Sequence, residues 1–119
     1  MKADELSKLM QEQFEICQYV MSQKAGEYTE EDPDKLAAIK AAAALQGIST
    51  QAAAMGMLSK HIVSIADMCV SGRHYAPERW NEKITDAMNY LFFIRAILTE
   101  QERQETGVSL MSPSEAMLP

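Results

Sequence analysis

Cysteine is scarce in this chain, and basic residues are outnumbered. Two cysteines, Cys17 and Cys69, among 119 residues cannot build a disulfide framework, and no CxxC or Cys/His spacing suits zinc. The 11 Lys and Arg against 17 Asp and Glu leave a net charge of −6. That balance argues against a DNA or RNA polymer as partner, because such binding needs cations to displace condensed counterions. The longest unbroken apolar run, Tyr90 to Ile94, is too short to span a bilayer, and MKADELSKLM lacks the apolar core of a signal peptide. No stretch alternates with period two, and there is no internal repeat. No Ser-His-Asp order, phosphate-cradling glycine loop or HExxH occurs, so nucleophilic and zinc hydrolysis have no support. What remains is a cytosolic, acidic, single-domain protein, 47% hydrophobic and long enough to form a core without staples.

Punctuation divides the chain into four helical segments, residues 1–106, and a tail, residues 107–119. The first helix runs from about Asp4 to Lys24, with Leu6, Met10, Phe14, Cys17 and Met21 on one stripe, and Gly26 ends it. Asp32-Pro33 supplies a cap and a first-turn proline for the second helix, which reaches Gln46 and presents Leu36, Ile39 and Ala43. Gly47 is suited to the left-handed residue that closes it. Ser49 or Thr50 caps the third helix, whose stripe is Met55, Leu58, Ile62, Ile65 and Cys69, and Gly72 closes it. The fourth helix starts at Pro77 and extends to about Gln104, with Trp80, Ile84, Ala87, Leu91, Ile94 and Leu98 in register. The spacings of three and four along the third and fourth helices are those of a heptad seam. The tail SLMSPSEAMLP has no periodicity and is read as disordered, with Leu110, Met111, Met117 and Leu118 available to a partner. The expected fold is all-α, a four-helix bundle with short connections.

The fourth helix also carries a second face. Glu82, Asp86 and Asn89 stand at i, i+4 and i+7, nearly opposite the apolar stripe, and Phe93 and Ile97 continue their line. The segment YLFFIRAIL is apolar nearly all round, and such a helix is covered all round. The carboxylates are therefore expected to look into a contact surface or cleft, and the chain is expected to be a homo-oligomer. On the third helix Lys60, Ser64 and Asp67 lie away from the stripe, with His61 at its edge. Packed antiparallel, the two helices would bring these residues together. Asp67, Glu82 and Asp86 suit Mg²⁺, a hard cation that prefers oxygen ligands, while Lys60 and His61 suit phosphate. The competing reading is a plain ion pair of Lys60 with Asp86 or Glu82. Arg73, His74, Tyr75 and Arg79 form a loop cluster able to close over an anion, or simply to cap the helix pair. Lys35 and Lys40 are read as solvated, and both cysteines as packing.

The blocks DPDKLAAIKAAAALQGIS, MLSKHIVSIADM and W-NEKITDAMNYL, in this order and spacing, resemble small phage-encoded proteins of the nucleotide-modification-associated domain 1 family. That family is distantly similar to MazG-like all-α NTP pyrophosphohydrolases. The resemblance runs from about Phe14 to Leu98 and is most specific over KHIVSIADM and EKITDAMNYL. It implies that Glu82 and Asp86 correspond to a magnesium-holding carboxylate pair, and that Lys60, His61, Asp67, Asn89 and Tyr90 match polar positions of the phage family. The third helix offers Lys60-His61 and Asp67 where MazG-like enzymes bring an ExxE pair, which tilts the reading from hydrolysis toward binding.

The expectation is thus a nucleotide-binding protein of the infected bacterial cytoplasm. It would sequester a host signalling nucleotide in counter-defence, through Lys60, His61, Asn89, Tyr90, Arg73 and His74, with Asp67, Glu82 and Asp86 as metal ligands. A Mg-dependent pyrophosphohydrolase is one alternative. A phage inhibitor that acts by binding a host protein is another.

Overall fold

Helix boundaries follow from local chemistry. A computed structural model describes residues 1–28 and 34–106, of which 24–28 and 106 by backbone alone. It contains α1 (Ala3–Tyr28), α2 (Ala37–Gln46), α3 (Thr50–Val70) and α4 (Pro77–Thr106). No strand occurs among the described residues, so the chain is an all-α helical bundle. The Ser49 hydroxyl accepts the Ala52 N–H at 3.1 Å and caps α3. Gly47, at φ +66°, ends α2, and the next N–H, that of Ile48, returns to the Ala43 carbonyl at 3.1 Å, a left-handed close that a Cβ would strain.

Two boundaries differ from the sequence reading. α1 runs through Gly26 to Tyr28, because a glycine inside a helix costs only about 1 kcal/mol and does not stop it. α2 starts at Ala37, after a turn in which the Asp34 carboxylate accepts the Leu36 N–H at 2.9 Å. Asp32-Pro33 and the 107–119 tail lie outside the described residues.

The core sits where α2, α3 and α4 meet, at Leu36, Ile39, Ala43, Ala53, Ala54 and Ile97, with Met57, Phe93 and Ile94 against it. Here the small side chains of Ala53 and Ala54 let α2 approach α3. The α3–α4 pair is antiparallel, and two contacts fix its register: Gln101 donates to Gln51 at 2.8 Å, and His61 stacks on Tyr90. Among the described residues α1 packs on α4 alone, running parallel to it, where Gln13 donates to Thr85 at 2.8 Å and Asn89 donates to the Cys17 carbonyl at 3.3 Å.

These contacts rotate α4 relative to the expected stripe. Thr85, Asn89 and Ile97 are buried, whereas Ile84, Leu91 and Leu98 are 37%, 54% and 46% exposed. α1 packs on the side of α4 that looks polar in sequence, so that side is also covered. The same holds elsewhere: Met55, Ile62 and Cys69 of α3, and Leu6, Met10 and Phe14 of α1, are exposed, while Leu58 and Cys17 are buried. By length and composition α3 is long and apolar enough to cross a membrane. The unbroken-run criterion did not reveal this, because Lys60, His61 and Asp67 interrupt its apolar residues.

Candidate functional site

The antiparallel register places His61 of α3 directly against Tyr90 of α4. Their rings stack, with centroids 5.3 Å apart and planes 27° from parallel. Phe93 meets the Tyr90 ring edge-on at 5.9 Å. His61, Tyr90 and Phe93 are all half-buried. Together they form an aromatic surface that spans two helices. Asp86 lies one turn before Tyr90 and is half-buried, and Ser64 lies one turn after Lys60 and is half-buried. Lys60 itself is exposed, about 100° round the helix from His61.

Asn89 carries an unmet acceptor on the α1 side of α4, outside this aromatic surface. Its amide N–H₂ donates to Cys17, but Oδ1 is buried and has no hydrogen-bond partner among the described residues. A buried carbonyl left without a donor costs about 1–3 kcal/mol.

The remaining predicted residues separate. Asp67 and Glu82 are exposed, and among the described residues no three His, Cys, Asp or Glu side chains gather to hold a metal ion. The register sets Asp67 level with the Glu82–Asp86 turn. Its position on α3, however, is more than a quarter-turn from the α4-facing line of Leu58, Ile65 and Met68. Within one chain, then, Asp67 does not join Glu82 and Asp86 around one ion. Arg73 and His74 are exposed in the α3–α4 connection, and His61 is roughly 15 Å of helix away from that end. The loop residues that do interlock are Tyr75, edge-on to Trp80 at 5.8 Å, and Arg79, whose guanidinium lies 5.7 Å from the Tyr75 ring centroid. Ser71 braces the turn, with its hydroxyl 3.1 Å from that of Tyr75.

The sequence reading missed a cleft of about 320 Å³ at the other end of α4, lined by Leu36, Lys40, Thr50, Ile97, Glu100 and Gln104, among others. Lys40, read as solvated, bridges Asp34 at 2.8 Å and Glu100 at 2.7 Å there. The hydrogen bond to Asp34, then that to Glu100, raises the Lys40 ammonium to about 12. Lys40 in turn, then the Leu36 N–H, holds the Asp34 carboxyl below its ordinary range. No local pattern in the sequence marks this bridge, since Glu100 is 60 residues from Lys40.

No protein-family model, curated protein or solved structure matches the chain.

Proposed function

We propose that the chain binds a small nucleotide and holds it without turnover, on the side of the α3–α4 pair that carries His61 and Tyr90. The observation that carries this reading is the half-buried His61–Tyr90 stack, a flat surface that suits a base or another planar ring. Lys60 supplies a cation for phosphate beside it. The resemblance to phage nucleotide-associated proteins points the same way, and with it come a host signalling nucleotide as ligand and the infected bacterial cytoplasm as setting. Binding is preferred to pyrophosphohydrolysis because Asp67 does not join the Glu82 and Asp86 pair within one chain, and among the described residues no three such side chains gather. Like many ligand sites in helical bundles, this one is built from side chains on facing helices, and the protein works as a homo-oligomer.

The test is a thermal-shift and product assay over NTPs, dNTPs and cyclic nucleotides, with and without Mg²⁺. At ligand concentrations of about 100 Kd, binding stabilises the fold by about 2.7 kcal/mol. The expected result is a rise in Tm with one nucleotide class and no product, abolished by Tyr90→Ala and weakened by Lys60→Ala. Turnover lost in Asp86→Asn would establish the enzyme instead. A panel without response, or responses untouched by Tyr90→Ala, would remove the proposed site.

A further inference from the structure

Alternate members of the three most regular apolar stripes of the sequence face outward, while Cys17, Leu58 and Ala87 of the same stripes are buried. The packing sets the outward members on one side of the molecule. α2 covers one side of the α3–α4 pair, through Ala53, Ala54 and Met57 of α3 and Phe93 and Ile97 of α4. At about 100° per residue, Met55, Ile62 and Cys69 lie on the side of α3 turned from α2, and Ile84, Leu91 and Leu98 on the matching side of α4. Phe14 of α1 reaches the same side, where it meets Phe92 edge-on at 5.9 Å. The result is an apolar face across α1, α4 and α3, opposite α2. Along its α4 line from Ile84 to Leu98 the one charged residue is Arg95.

We infer that this face is the contact between two copies of the chain. Its residues recur every seven positions, 55-62-69 and 84-91-98, which suits helices crossing at a shallow angle. The chain presents such helices itself. A face with almost no charge offers nothing to a charged partner but matches its own image, and a two-fold contact places the same patch on both sides. Surface area agrees. The chain exposes 9041 Å², against about 6,500 Å² for a compact monomer of this mass. Even if every residue outside the described ranges is counted as fully exposed, roughly 500 Å² remains in excess, the larger part of the about 800 Å² that one partner in a standard interface covers.

This inference stands apart from the nucleotide reading, since its variants leave His61 and Tyr90 in place. Sedimentation of the full chain at micromolar concentration should give twice 13.3 kDa, and Leu91→Glu should give the single mass with its helical circular dichroism retained. Leu45→Glu, on α2 and 89% exposed, should leave the dimer intact. If Leu91→Glu does not fold, Ile62→Ser and the concentration dependence of the wild-type Tm carry the test, because dilution lowers the Tm of a dimer. A monomeric wild type, or a dimer indifferent to both Leu91→Glu and Ile62→Ser, overturns the inference. A monomer that co-sediments with phosphatidylglycerol vesicles overturns it in favour of a lipid surface, and one that does not leaves the face to a different protein.

Discussion

The side chain of Gln13 donates to the hydroxyl of Thr85 at 2.8 Å, joining α1 to α4 through a polar pair at a site where Thr85 is 2% exposed. One turn further along both helices Asn89 repeats the arrangement with the Cys17 carbonyl. α1 therefore docks by hydrogen bonds as much as by apolar packing, which makes its register specific.

Thr85→Val keeps the shape and strands the Gln13 amide. It should destabilise the fold by about 1–2 kcal/mol. Gln13→Leu combined with it should recover part of that loss, and denaturant melts of the four proteins in the cycle measure the coupling, expected at about 1 kcal/mol. Strict additivity would deny the pair its role.

Ala54 is fully buried where α3 meets its neighbours. Ala54→Leu should cost about 1–3 kcal/mol through overpacking. Ala52→Leu, on the exposed side of the same helix, should stay within about 0.5 kcal/mol of wild type. Equal melting temperatures for the two would contradict the packing.

At Gly47 the backbone is left-handed, with open space around the missing Cβ. Gly47→Ala should thus cost about 1 kcal/mol from backbone strain alone, without a steric penalty. Calorimetry separates this from a neutral substitution.

The Lys40 bridge gives stability a definite pH window. The Asp34 carboxyl is held low by Lys40, so its contribution is present above about pH 4 and fades as the pH falls through the lowered value. Lys40 is raised from 10.5 to about 12, so its contribution is complete below pH 10.5 and fades as the pH climbs through about 12. Because the pair is substantially exposed, the neutral-pH difference from Lys40→Met should be small. The wild-type Tm should nevertheless fall more steeply than that of Lys40→Met below about pH 4. Parallel curves would show that the bridge does not contribute.

Element existence was readable because caps and breakers are local. Ser49, Gly47 and Pro77 act where their chemistry says, and Leu36, Ile39 and Ala43 of α2 are buried as their spacing implies. The inner face was legible only in part: Cys17, Leu58 and Ala87 are buried as their stripes imply, while Met10, Met55, Ile62, Ile84 and Leu91 are not. A heptad stripe is equally good as a core and as a seam between chains, and only the long-range pairs Gln13–Thr85 and Asn89–Cys17 decide which way α4 turns. His61 and Tyr90 were each in view. Their stacking was not, because it depends on the α3–α4 register. Asp67 failed for the same reason, being at the right level on the wrong side of its helix.

α1 has a further consequence for local opening. Residues 1–12 are exposed along their whole length, and beyond them, among the described residues, the helix is held by α4 alone. In a lone copy the amides of Glu5 to Glu12 open and reclose without disturbing the α3–α4 pair, and they exchange with solvent first. Deuterium uptake in that stretch then reports whether Leu6 and Met10 have found cover.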